Sequence, residues 1–349
     1  MRIPGKRKSR RFSIAVRLLA AIAAINLAPV TVVASPAELG ERFEVNAMEY
    51  PWSAVGRVNV GGRGHCTGFL ISERAVLTAA HCLYNATEGR WWAPSELHFV
   101  AGYQRDTYLI DSPIRSYERD RRFSYKAGAT AENAVVDWAV LQLEKPIGRQ
   151  AGWLGLRRLD KALAASIRRG KARLVQAGYR RDRSNIMSVN LGCEVLGYFH
   201  RDTGILHSCH LAKGDSGSPL LVFANGEVRV TGLHVLNART TAGETAGALS
   251  VAVFQPGKGD AQAVAAARRG GAKWGNGRAP AGESPATPIP RRTVGTLLVT
   301  LGLLPTATAK DPAARNAAIS AFQAKVGLPA TGKASLALLG RLILAVPQK

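Results

Sequence analysis

The 349-residue chain has only four cysteines and no CxxC pair. Thiolate metal sites of the finger or ribbon kind draw on such close pairs, so this spacing favours disulfides over metal ligation. No cysteine precedes Cys66, which excludes a lipid-bearing N-terminal cysteine. Beyond the N-terminal region no apolar run is long enough to cross a bilayer, and no segment repeats at a fixed period. Acidic residues are scarce, 24 against 47 basic ones, for a net charge of +23. No nucleic-acid-binding motif and no aromatic interleaving accompany that charge, so a nucleic-acid partner is not expected.

The basic excess is uneven. Seven basic residues (Arg2, Lys6, Arg7, Lys8, Arg10, Arg11 and Arg17) fall in the first 34 positions, which hold no acid, and residues 18–37 are uncharged. A basic start, a short Leu/Ala/Ile stretch and Val32-Val33-Ala34 before Ser35 read as a secretory signal peptide over residues 1–34. An uncleaved anchor helix is the competing reading. Cleavage after Ala34 would deliver a secreted protein, periplasmic or extracellular, with no stable membrane span. The remainder keeps 40 basic against 24 acidic residues, or +16. Ten of its basic residues lie between Arg157 and Arg183, a stretch that would attract an anionic envelope polymer.

Three stretches carry chemistry. Gly214-Asp215-Ser216-Gly217-Ser218-Pro219 sets a serine between glycines ahead of an apolar strand, which describes a hydroxyl on a tight turn with bare N–H groups beside it. Upstream, Ala75-Val76-Leu77-Thr78-Ala79-Ala80-His81-Cys82 places a histidine at the end of a short apolar strand. Between them, Val135-Val136-Asp137-Trp138-Ala139-Val140-Leu141-Gln142-Leu143 puts an aspartate at the entrance of an alternating strand. A serine nucleophile needs a base for its proton, and the imidazole needs a carboxylate to fix its tautomer.

These motifs, in this order, resemble those of the chymotrypsin family of serine proteases over roughly residues 46 to 255. The resemblance implies an all-β double barrel with the site in the cleft. In it Ser216 would be nucleophile, His81 general base and Asp137 its orienter, with the N–H groups of Gly214 and Ser216 as oxyanion hole. It also implies a Cys66–Cys82 bridge beside the histidine, and with it Cys193–Cys209. Peptide or protein substrates are implied; a metal ion or organic cofactor is not.

His210, six residues before Ser216, falls where trypsin-like enzymes hold the aspartate that meets Lys or Arg, which argues against that preference. The strand through His234 and Asn237 would form the pocket wall, and its Gly-Leu-His step is similar to glutamyl endopeptidases, although their usual threonine is Leu211 here. The alternative makes His210 a loop residue and His234 a satisfied barrel histidine. No Ile-Val-Gly-Gly start exists to supply a new N-terminus for Asp215. Cleavage at Arg42-Phe43 or Arg57-Val58 stays open, as does an internal partner, Lys213 or another base.

In chain order, short strands are expected at 52–58, 67–72, 75–78, 97–101, 107–111 and 138–143, then at 172–179, 193–198, 218–223, 227–236 and 249–254. The protease region would span 35–270, closing with a helix that Asp260 caps and Gly270 ends. Residues 271–292, rich in Gly, Ala and Pro, read as a linker. Residues 293–346 read as a small all-α three-helix domain, with Val294, Leu297, Leu298 and Leu301 on one helix face and Asp311-Pro312 opening the second helix. Its Phe322-Gln323, Gly327-Leu328 and Thr331-Gly332 steps resemble peptidoglycan-binding domains, implying a tether to the cell wall. A helical cap packed on the protease is the alternative. The reading as a whole is an exported serine endopeptidase; the alternative is a catalytically silent envelope-binding protein.

Overall fold

The computed structural model describes residues 42–62, 64–240, 243–255, 258–272 and 289–347. The expected signal peptide, Arg63 and most of the expected linker lie outside them. β1 (Phe43–Glu44) is followed by β2 (Val55–Val60), β3 (Gly64–Leu70) and β4 (Ala75–Thr78). After a short pair, β5 (Tyr84–Asn85) and β6 (Arg90–Trp91), come β7 (Leu97–Ala101), β8 (Ile110–Arg119) and β9 (Ala139–Leu143). A closed antiparallel barrel forms in the order β2-β3-β4-β9-β8-β7. Its strands are apolar on their inward positions, with Val55, Val58, Phe69, Leu77, Phe99 and Leu141 fully buried.

The second unit holds β10 (Ala172–Gly178), β11 (Ser188–Cys193), β12 (Val195–Phe199), β13 (Gly204–His207), β14 (Pro219–Ala224), β15 (Glu227–Thr240) and β16 (Gly243–Ser250). Together with β1 these seven form an eight-stranded antiparallel sheet in the order β1-β11-β10-β14-β15-β16-β13-β12. Asn225 and Gly226, at φ 53° and 77°, make the two-residue turn between β14 and β15, both in the left-handed region that such hairpins require. One core cluster runs through both units, with Trp52, Trp138, Tyr179, Phe223 and Phe254 among its fully buried rings.

Several elements depart from expectation. A strand expected at 107–111 is instead β8, which Asp111, Pro113, Arg115 and Glu118 disguise. Pairing explains its tolerance: the first half of β8 bonds to β7 and the second half to β9, so neither partner needs its whole length. β13 and most of β16 went unforeseen, the one four residues long and the other built of small residues. Residues 251–254 are a 3-10 helix, opened by the Ser250 hydroxyl accepting the Ala252 N–H.

Helices α1 (Ala131–Ala134), α2 (Gly148–Ala151), α3 (Lys161–Arg168) and α4 (Ala261–Arg269) decorate the barrels. Asp160 caps α3 through the Leu163 N–H, and Leu163 and Ile167 pack on Leu174, Ile205 and Leu220 of the second sheet. Asp260 caps α4.

The C-terminal helices α5 (Arg291–Thr300), α6 (Pro312–Lys325) and α7 (Leu336–Ala345) rest on the second sheet, with α7 against β10, β14 and β15. Charged groups of the barrel region hold both ends. The buried Glu49 carboxylate accepts the N–H groups of Arg292 and Thr293 at 2.7 and 2.9 Å, a negative charge at a helix N-terminus. Buried Arg173 donates to the carbonyls of Leu344 and Val346 at 2.9 and 2.8 Å, at the end of α7. The Phe-Gln and Thr-Gly steps are internal to this bundle. Gln323, 3% exposed, accepts the Gly332 N–H and donates to Thr331 and Lys333, so the motif's amide is used in folding a turn. Among the described residues no helix is long and apolar enough to cross a membrane.

Candidate active site

Each motif residue arrives on a different element. His81 sits in a 3-10 helix, Ala80–Leu83, directly after β4. Asp137 follows α1, in a loop held by Asn133, whose amide donates to the carbonyls of Ser124 and Gly128 and accepts the Ser124 N–H. The buried Asp137 carboxylate clamps His81 twice. One oxygen accepts the His81 backbone N–H at 2.8 Å, and the other accepts from ring Nδ1 at 2.6 Å. The proton therefore sits on Nδ1, leaving Nε2 as the acceptor that a serine hydroxyl needs. Burial pulls the proton affinity of His81 down, but the Asp137 charge and hydrogen bond outweigh it, so its pKa is raised above 6.5.

The Ser216 bend is pinned by the first barrel. Thr67, fully buried on β3, donates its N–H to the Ser216 carbonyl at 2.9 Å and its hydroxyl to the Gly214 carbonyl at 2.8 Å. Gly217, at φ 79°, leaves no room for a side chain: a Cβ would lie 2.2 Å from the Thr67 carbonyl oxygen and 2.3 Å from Thr78 Oγ1. The Cys82 sulfur approaches the Ser216 carbonyl at 3.9 Å. Residues on both sides of His81, Thr78 and Cys82, thus lie against Gly217 and Ser216. No hydrogen bond joins His81 to the Ser216 hydroxyl; bonds of this kind tighten in a substrate complex. Among the described residues the N–H groups of Gly214 and Ser216 donate to nothing, which leaves two donors free for an oxyanion.

Both disulfides form as the resemblance implied, Cys66–Cys82 and Cys193–Cys209. Cys66, His81 and Cys82 bring ligand-type atoms within 4.8 Å of one another, but the two sulfurs are bonded together and are no thiolate pair.

Asp215, fully buried, takes its partner from 173 residues away. Arg42 forms an ion pair with it and donates a second nitrogen to the Ser188 carbonyl at 2.8 Å. The Asp215 carboxylate also accepts the Ala212 N–H and the Gln176 amide, at 3.0 and 3.3 Å. Gln176 in turn bonds Ser218 and Asn190, and Asn190 holds the His210 carbonyl. A buried polar net therefore backs the whole 210–218 loop. Lys213 is exposed, and the side chain of Arg42 is 4% exposed, so Arg42 is a structural anchor in the folded chain.

His234 and His207 stand side by side, ring centroids 5.9 Å apart, both buried. The His234 backbone is bonded to the nucleophile loop, accepting from Gly217 and donating to Ser218. Burial holds the His207 pKa down at about 3. Burial, then the neighbouring His207, His81 and Arg42, hold that of His234 well below 6.5. His207 Nδ1 accepts the Cys209 N–H, while among the described residues His207 Nε2 and His234 Nδ1 have no partner. The side chain of His210 is exposed, and Asn237 is exposed on β15 beyond a bulge at His234–Leu236. Sequence reading missed Thr67, Gln176, Asn190, His207 and the role of Arg42. A signal existed for Gln176 alone, a polar residue in the middle of the mostly apolar strand β10.

The fold and this constellation define a serine-protease architecture, and comparison agrees. The model of the trypsin family matches residues 40–256, more than half of the chain, and the chain belongs to that family. It is 28% identical over 110 residues to a protein named glutamyl endopeptidase from Bacillus licheniformis, covering 32% of each chain. It is 30% identical over 92 residues to one named extracellular metalloprotease from Bacillus subtilis, covering 26% of this chain and 27% of that one. The chain thus spans about a third or less of the length of these curated relatives. A solved structure of a Glu endopeptidase in complex with MPD superposes with a TM-score of 0.50 at 19% identity, over 65% of this chain and 95% of that one. That likeness speaks to the fold.

Proposed function

We propose that the protein is a serine endopeptidase that acts in an oxidising, extracytoplasmic compartment and cleaves after acidic residues. The carrying observation is the 2.6 Å His81–Asp137 hydrogen bond, beside a bend whose Gly214 and Ser216 N–H groups are unbonded. Ser216 Oγ would attack the scissile carbonyl while His81 Nε2 takes its proton. The oxyanion would be received by the two free N–H groups, and His81 would return the proton to the departing amine. The two disulfides favour the compartment.

The acidic preference draws on the glutamyl endopeptidase relative and on the chemistry around His234. The buried Asp215 is turned to Arg42 and so is not available to meet a basic side chain. The unpartnered Nδ1 of His234 lies in a field made more positive by Arg42. A carboxylate reaching that nitrogen would raise its proton affinity and share a proton with it.

A peptide-library digest read by mass spectrometry tests the proposal. Cleavage should concentrate after Glu and Asp, vanish in Ser216→Ala, and fall roughly 10- to 100-fold in kcat/KM for a Glu substrate in His234→Ala. Cleavage after Lys, Arg or large apolar residues would overturn the specificity.

A further inference from the structure

The two ends of the Ser216 bend differ in charge. At one end Gly217 and Ser218 bond the backbone of His234, neutral and buried. At the other, residues 179–183 press against Gly214: a Cβ there would lie 2.3 Å from the Tyr179 carbonyl oxygen and 2.8 Å from Arg181 N. The Arg181 N–H donates to the Lys213 carbonyl at 2.6 Å, which ties both residues to the rim of the oxyanion hole. His65 closes this side by bonding the Tyr179 carbonyl at 3.0 Å. Its pKa is lowered by burial, then by Arg57, with Arg181 adding to it.

Arg181 and Lys213 are both exposed, and among the described residues neither forms an ion pair. The acid next to Arg181, Asp182, is taken by Arg180 at 2.7 Å, and Asp215, two residues past Lys213, is paired with Arg42. Two uncompensated cations thus stand beside one half of the oxyanion hole.

In the acyl transfer proposed at Ser216 the acidic side chain before the scissile bond would meet His234 at the Gly217–Ser218 end of the bend, so the departing amine would leave past the other end, at Gly214. We infer that Arg181 and Lys213 form a leaving-side subsite for a carboxylate within the first two residues after the scissile bond. The inference rests on the serine-endopeptidase reading and adds a second selected position to it. The carboxylate can come from an Asp or Glu side chain or from the C-terminus of a short peptide. Exposed ion pairs are individually weak, so the two cations together should favour such a substrate by about tenfold in kcat/KM at low salt. The preference should shrink as ionic strength rises.

Internally quenched peptides with one acyl-side sequence test this. In one arm the first or second residue after the bond is Glu or Ala, with an amidated C-terminus; in the other it is Ala, with a free or an amidated C-terminus. Each enzyme is scored by the ratio of its own kcat/KM values. Wild type should favour the carboxylate about tenfold, and the arms identify its source. Arg181→Ala/Lys213→Ala should bring the ratio to about one, and Arg181→Glu/Lys213→Glu should invert it toward Lys-bearing peptides. A wild-type ratio near one, or a ratio that survives the double substitution, overturns the inference. A wild-type chain that hydrolyses no peptide in the set fails at the serine-endopeptidase reading instead.

Discussion

At His81 the Asp137 carboxylate outweighs burial, and this ordering sets the pH behaviour. The base works only when neutral, so activity should be low in acid and rise through a pKa above 6.5. Asp137→Asn removes the charge and the tautomer lock; turnover should fall by roughly four orders of magnitude, measured as kcat on a peptide ester. Near-normal turnover would remove Asp137 from the triad. At Arg42 the prediction is structural first. Arg42→Ala strands a buried carboxylate next to the nucleophile, a loss of about 3 to 5 kcal/mol in urea unfolding, with Arg42→Lys recovering part of it. The proposed triad was legible because the chemistry needs particular residue types flanked by glycine or by a strand. Arg42, Thr67 and Asn190 were not, because their roles come from partners far away in sequence.

Among elements, strands with apolar alternation and the N-caps Asp160, Asp260, Asp311 and Ser335 follow from local sequence. β8 and β13 do not, since pairing on both sides supports polar or very short strands. The pairing of β13 to β16 and β16 to β15 has a cost that sequence could not disclose, for it buries His207 beside His234. His207 has a folded pKa of about 3, against 6.5 for the free side chain. Between those values the unfolded chain binds more protons, so stability is complete above pH 6.5 and is lost as pH falls through this window. At pH 5 the loss from His207 amounts to roughly 2 kcal/mol. Unfolding midpoints from pH 7 to 5 should fall more steeply in wild type than in His207→Gln; equal slopes would contradict the argument.

For the whole molecule, charged caps from the barrel region at Glu49 and Arg173 make α5–α7 part of the protease body. The sequence pattern alone favours a tethered domain, with a packed cap as the alternative, since an amphipathic helix does not name its partner. Truncation after Ala272 should expose the β10–β14–β15 face and lower the thermal midpoint, whereas a freely swinging module would leave it unchanged.

The central claim, that Ser216 is a nucleophile activated by His81 and Asp137, is tested most directly by fluorophosphonate labelling of the full chain, read by intact mass and peptide mapping. A single covalent adduct should form on Ser216, faster as pH rises above 6.5, and disappear in Ser216→Ala. A folded wild-type protein that never reacts at any pH, or an adduct on another residue, would contradict the account.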